Sequence, residues 1–142
     1  MREYGFIESM EYFSLPIKKE FFYSVDPAFD RSINDFDKFL DTASSLPTAF
    51  FCMNDIIALG CMKAQQKHNY KVPDDISIIG FDDLPSSSLA EPPLTSIQVS
   101  HHQIGRRAVE RLAEKIMSPL DNLPENILVP NKLIIRESVK RL

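Results

Sequence analysis

The stretch "PTAFFCMNDIIALG", Pro47 to Gly60, runs a continuous apolar segment, "TAFFCM", into an Asn-Asp pair and at once into a segment of helical periodicity. An apolar run without polar alternation reads as a strand covered on both faces of a sheet. The same pattern recurs at "ISIIGF", Ile76 to Phe81, which ends in Asp82 and Asp83. Strand, helix, strand at this spacing implies parallel crossovers. The expected fold is therefore α/β, a three-layer, doubly wound, mostly parallel sheet.

Working outward, "DIIALGCMKAQQKHNY" is the helix between the two runs. On the amino-terminal side, "KKEFFYSV" after Pro16 reads as a short strand. In "DPAFDRSINDFDKFLDTASSLP", Asp30 is placed to cap a helix that turns Ile33, Phe36, Phe39 and Leu40 one way. Tyr4, Phe6, Ile7, Met10 and Phe13 recur at helical spacing, with no capping residue ahead of them. On the carboxyl-terminal side, "TSIQV" alternates as a strand. Ser100 and Gln103 then have the spacing of a capping box, and Ile104, Ala108, Leu112 and Ile116 mark one stripe of a helix reaching about Met117. "SPLDNLPEN" is a loop by its prolines, and "ILVPNKLIIRES" reads as a final strand broken or bent at Pro130.

With 142 residues, 44% of them hydrophobic, the chain can bury one sizeable core. A net charge of −4, with Lys and Arg scattered, does not form the basic footprint of a nucleic-acid surface. Cys52 and Cys61 stand in apolar segments without CxxC spacing, as core thiols of a reducing compartment do. The first residues carry no signal-peptide pattern and no long apolar run spans a membrane, so the expected location is cytoplasmic, with no membrane partner. The four glycines make no GxGxxG or Walker loop. His68, His101 and His102 have no Cys or carboxylate at ligand spacing, so neither a metal nor a cofactor is expected. "LPSSSLAEPP" lacks GxSxG and reads as a loop, and "GRRAVERLAEK" pairs Arg106 with Glu110 and Arg111 with Glu114, a solvated helix face. No catalytic set emerges.

Ligands of open parallel sheets sit in the crevice outside the carboxyl ends of the strands. Asn54 and Asp55 stand at one such end, Asp82 and Asp83 at the next. An amide that donates and accepts, beside a carboxylate, suits a polyhydroxylated or amide-bearing ligand. The same residue types also cap helices and start turns, and position alone leaves both readings open.

The residues from Pro47 to Leu112 resemble the carboxyl-terminal part of the effector-binding domain of LacI/GalR-family transcription regulators. The elements that carry the likeness are "PTA" before an Asn-Asp strand tip, the Ala-Leu-Gly helix, "VPDDISIIGFDD", "PPLTSI" and the closing "LIIRES", with a looser match at "REYGF". The resemblance implies two periplasmic-binding-protein-like lobes closing on a small ligand, with an amino-terminal helix-turn-helix on the operator. It assigns ligand contacts to Arg2, Phe29, Asn54 and Asp82, and makes Asp55 a helix cap and Asp83 a turn residue. On this reading residues 1–97 form the carboxyl-terminal lobe, 98–122 a crossover helix that packs on an absent amino-terminal lobe, and 123–142 the closing loop and strand. The chain is expected to be a fragment or a truncated product. Its partners are a small-molecule effector, by family likeness a sugar or sugar derivative, and a second copy of itself. DNA is contacted only through a helix-turn-helix outside the chain. The homodimer expectation rests on the orphan stripe of the crossover helix and on a second apolar patch around Ile57, Cys61, Ala64 or Leu84.

Two rivals share the fold class. A phosphoacceptor or hydrolase using Asp82 or Asp83 with a metal would want an acidic pair after its first strand, where "FFYSV" is followed only by Asp26. An extracytoplasmic sugar receptor would want a signal peptide.

Overall fold

The computed structural model describes residues 2–118 and 124–140. Helix α1 (Arg2–Tyr12) leads into a single 3-10 turn at Lys19–Phe21. Then come α2 (Phe29–Thr42), β1 (Ala49–Phe51), α3 (Asp55–Lys67), β2 (Ser77–Asp82), α4 (Pro85–Leu89), β3 (Thr95–Gln98), α5 (His101–Met117) and β4 (Lys132–Ile134). The four strands form one sheet in chain order, β1, β2 and β3 parallel, with β4 antiparallel on the edge beside β3. Both apolar runs singled out in the sequence are adjacent parallel strands, Phe50 opposite Ile78 and Phe51 opposite Ile79.

Because side chains alternate along a strand, Phe50 and Phe51 point to opposite faces. Phe50 meets Phe36 and Phe39 of α2, at ring distances of 5.1 and 5.9 Å. Phe51 stacks on Phe6 of α1 at 5.9 Å. The sheet is thus the middle of three layers, but unequally covered: Ile33, Phe36, Phe39 and Leu40 of α2 and Ala58, Cys61, Met62 and Ala64 of α3 are buried, whereas α1 has no buried residue. Gly60 allows α2 and α3 to approach closely, since a Cβ there would lie 2.0 Å from Ser32 Oγ. Cys52 and Cys61 are free thiols in this core, and the Cys61 thiol is pushed well above its ordinary pKa by its hydrogen bond with Cys52 and by burial.

Several local expectations are corrected. Residues 18–25 form no strand; Tyr23 gives its ring to Phe39 and Phe22 gives its ring to Phe6, so these side chains dock sideways on helices while the backbone stays outside the ladder. Asp30 does not cap α2, which starts one residue earlier; Asp26 accepts from the Ala28 amide in a local turn just ahead of it. "LPSSSLAEPP" contains the short helix α4. The capping box at Ser100 is not formed: its hydroxyl makes no bond to the first turn of α5 and instead points to the Pro130 carbonyl. Of the final strand expected across Pro130, only Lys132–Ile134, beyond the proline, forms a strand.

Helix α5 has no buried residue, and its stripe is open: Ile104, Leu112 and Ile116 are 45%, 60% and 69% exposed. The Arg106–Glu110 pair at 3.5 Å is solvated as expected, whereas Arg111, paired with Glu114 at 3.0 Å and Glu125 at 3.3 Å, is only 20% exposed. The second patch is only partly formed: Cys61 and Ala64 lie in the core, whereas Ile57 and Leu84 are half-buried. The loop residues 119–123, and with them the boundary drawn after residue 122, lie outside the described residues. No helix of the described chain is long and apolar enough to cross a membrane.

Candidate functional site

The carboxyl ends of β1 and β2 lie side by side, and Arg2 at the start of α1 joins them. Its guanidinium donates to the Met53 carbonyl at the end of β1 and to Asp82 Oδ1 at the end of β2, 3.2 Å away. It lies over the Phe81 ring at 4.0 Å, where the ring's negative face attracts a cation. A cleft of about 600 Å³ opens here between the strand ends and α5, lined by Arg2, Phe81, Val99, Ile104 and Leu112 among others. Arg2 and Asp82 were expected together, and the structure brings them together. Neither Asp82 nor Asn54 itself lines this cleft; Asp82 is tied to it through Arg2, which does.

The capping role expected of Asp55 falls to its neighbour Asn54. Asn54 is the N-cap of α3: its Oδ1 accepts from the Ile57 amide at 2.8 Å, which satisfies one of the donors a helix start leaves unpaired. Its carboxamide nitrogen is left as a donor at the strand tip. Asp55, expected as the cap, turns inward and is fully buried. Its Oδ2 accepts from the Leu84 amide at 2.7 Å and the Ser87 hydroxyl at 2.6 Å, and its Oδ1 from the Ser96 hydroxyl at 2.6 Å. Hydrogen bonds to a carboxylate are worth more than neutral ones, and leaving such buried donors unpaired costs about 1–3 kcal/mol each. Gly80 makes room: a Cβ there would sit 2.2 Å from Asp55 Oδ1.

Asp82 and Asp83 form a turn with φ of 108° and 54°. The second value lies in the left-handed region that Asp tolerates, while the first is rarely adopted by a side-chain-bearing residue and costs about 1–3 kcal/mol. Asp83, read as a turn residue, is one. It is also anchored: its amide donates to Ser96 Oγ, its Oδ1 accepts from Arg136 at 2.7 Å and its Oδ2 from Gln98 at 2.8 Å. Arg136 also donates to the Leu94 carbonyl, and the buried Ser138 hydroxyl bridges the Ile78 carbonyl and the Thr95 amide. The closing segment therefore ties β2 to β3 at their starts through Ser138 and reaches the turn through Arg136.

Phe29 is not brought to this site. It opens α2, is 43% exposed, and is not among the residues lining the cleft; its carbonyl accepts from Ser32. Sequence reasoning missed Phe81, Ser96 and Arg136. Ser96 had a faint signal, as the inward serine of an alternating strand. Phe81 sat inside an apolar run where nothing distinguished it, and the partner of Arg136 is 53 residues away. Among the described residues no cluster of three His, Cys, Asp or Glu side chains is arranged to hold a metal ion.

Comparison with known proteins gives this geometry a context. The family that matches residues 1–139 is described as a periplasmic binding protein-like domain. The chain is 35% identical over 139 residues to the HTH-type transcriptional repressor PurR of Actinobacillus pleuropneumoniae serotype 3 (strain JL03), covering 97% of this chain and 41% of that protein. It is similar in structure to a LacI-type transcription regulator from Bifidobacterium animalis subsp. lactis DSM 10140, with a TM-score of 0.85 at 27% identity, over 96% of this chain and 49% of that one. A similar likeness holds to the Lac repressor bound to ONPG in its repressed state, with a TM-score of 0.81 at 26% identity, over 97% and 40% of the two chains. The chain thus spans less than half the length of each of these proteins. A family match along nearly all of its residues, a parallel sheet with its polar groups at the strand ends, and these likenesses agree: the chain belongs to the family of periplasmic binding protein-like domains, in the form carried by LacI/GalR-type transcriptional regulators.

Proposed function

We propose that the chain is the effector-responsive portion of a transcriptional regulator, a binding module that performs no chemistry on its ligand. The observation that carries this reading is the Arg2–Asp82 pair over Phe81, which joins two strand ends at the one place where open parallel sheets take ligands. A guanidinium and a carboxylate side by side offer both donors and acceptors, and the Asn54 carboxamide adds a donor at the neighbouring strand tip. Such a set suits a polyhydroxylated ligand, a sugar or sugar derivative, and Phe81 gives it an apolar floor. Phe29 is assigned no contact. In the whole regulator, ligand closure would bias the geometry of a homodimer, and with it a helix-turn-helix lying outside residues 1–142, through a difference in ligand affinity between two states. This scheme places the protein in the cytoplasm, with DNA reached only through that segment.

The test is titration of the 142-residue chain, followed by amide NMR shifts and calorimetry. D-ribose and D-glucose serve as polyol probes and hypoxanthine as an amide-bearing heterocycle. Saturable shifts confined to Arg2, Asn54, Phe81 and Asp82 are expected with one class. Asp82→Ala should weaken that binding by about 1.5–3 kcal/mol, the worth of a hydrogen bond to a charged group, while leaving the circular dichroism unchanged. Unaltered affinity in Asp82→Ala would remove the assignment.

A further inference from the structure

We infer that Asp55, Ser96 and Arg136 are positioning residues of the ligand site: together they hold the Asp82–Asp83 turn in its left-handed conformation and so aim the Asp82 carboxylate at Arg2. The inference rests on the reading of Arg2 and Asp82 as ligand contacts. The turn is held from behind through the Asp83 and Leu84 amides and both Asp83 carboxylate oxygens. Ser96 Oγ accepts from the Asp83 amide and donates to Asp55 Oδ1, so one buried hydroxyl relays the backbone of the turn to the carboxylate. Asp55 Oδ2 takes the next amide along, that of Leu84, and so fixes the exit of the turn. From the other side, Arg136 and Gln98 each hold one oxygen of the Asp83 side chain. Two successive residues with positive φ and no glycine between them do not persist unaided. Only with Asp83 held inward by these bonds does Asp82, at the end of β2, stay where Arg2 Nη2 can reach it.

The geometry also explains why the three holders come from distant parts of the chain. Asp55 starts α3, Ser96 lies on β3, and Arg136 follows β4. The turn therefore reports whether α3, β3 and the closing segment are all docked, and the ligand site is complete only when they are.

The test needs no ligand, which separates it from the effector reading: a site can be held in shape and still accept none of the probes above. Residues with positive φ have a short distance between their amide and α protons, and hence a strong intraresidue cross peak in nitrogen-edited NOE spectra. Asn69, with φ of 61° and no bond to this network, serves as the internal control. In the 142-residue chain, Ser96→Ala and Arg136→Gln are expected to weaken the Asp82 and Asp83 cross peaks several-fold relative to Asn69. Arg136→Lys, which keeps a cation opposite Asp83, should retain more of the signal than Arg136→Gln. Rotation of the Arg2 guanidinium, slowed by its bond to Asp82, should quicken in the same variants. Ser96→Ala removes one oxygen and adds no volume, so circular dichroism should confirm that it folds. Unchanged turn signals in both folded variants would overturn the inference. So would loss of those signals with the Arg2 guanidinium still held, because the clamp would then not be what aims Asp82.

Discussion

Gly80→Ala tests the buried network at its tightest point. The added methyl would lie 2.2 Å from Asp55 Oδ1 and 2.9 Å from Leu94 Cδ2. Leu94 can yield by a small rotation of a terminal methyl, but Asp55 cannot yield freely, since its two oxygens are tied to Ser96, Ser87 and Leu84 at 2.6 to 2.7 Å. Overpacking of this kind costs about 1–3 kcal/mol. Breaking the Ser96 bond to relieve it costs about 1.5–3 kcal/mol, the worth of a hydrogen bond to a charged group. Against this, Ala in place of Gly within a strand stabilises by about 0.5–1 kcal/mol through the unfolded chain. The chain will take the cheaper route, so the expected net loss is about 1–2 kcal/mol, a sizeable share of the roughly 5–15 kcal/mol by which a domain is stable. Urea unfolding followed by circular dichroism measures it. The decisive arm is the same substitution in an Asp55→Ala background, where the methyl meets no carboxylate. There Gly80→Ala should be close to neutral or mildly stabilising, which gives a coupling of roughly 2 kcal/mol between the two sites. An equal penalty in both backgrounds would refute the reasoning, because the cost would then arise from the strand or from Leu94 and not from Asp55.

Three further outcomes are expected. Asn54→Ala removes the cap of α3 and should lower stability by about 1 kcal/mol in urea, whereas Asn54→Asp, which keeps a capping oxygen, should cost much less. The chain should self-associate, because Ile104, Leu112 and Ile116 are open on α5 and covering the exposed part of each returns roughly 1–2 kcal/mol. A monomer mass independent of micromolar concentration by light scattering would contradict this. The Cys61 thiol, whose pKa is raised by Cys52 and by burial, should resist iodoacetamide in the folded chain at pH 8 and react on unfolding. Its contribution to stability is fully present below the unfolded thiol value of about 8.5 and lost as pH rises through the higher folded value. The urea midpoint should therefore fall above pH 9.

What the sequence determined by itself follows from signals that are local. Continuous apolar runs at 48–53 and 76–81, a 3.6-residue stripe in α2 and a polar residue at each strand end suffice to call a parallel sheet with its site at the strand tips, because periodicity and strand-end position depend on neighbours only. That Arg2 and Asp82 belong to one site was legible only through resemblance to a family, and that they pair was not legible at all. The tertiary structure decided what lies between residues far apart in the chain. It turned Asn54 into the cap and Asp55 into the buried hub, since which of two adjacent polar side chains points inward depends on whether donors wait there, and those donors are Leu84, Ser87 and Ser96. It removed the strand expected at 18–25, where aromatic side chains found helices to dock on before a strand edge could pair their backbone. It took Cys61 and Ala64 out of the expected surface patch by placing them in the core with α2. A positive φ at Asp82 leaves no trace in composition or spacing, because it is imposed by bonds to Asp83 and Leu84 from three segments that meet only when the chain is folded.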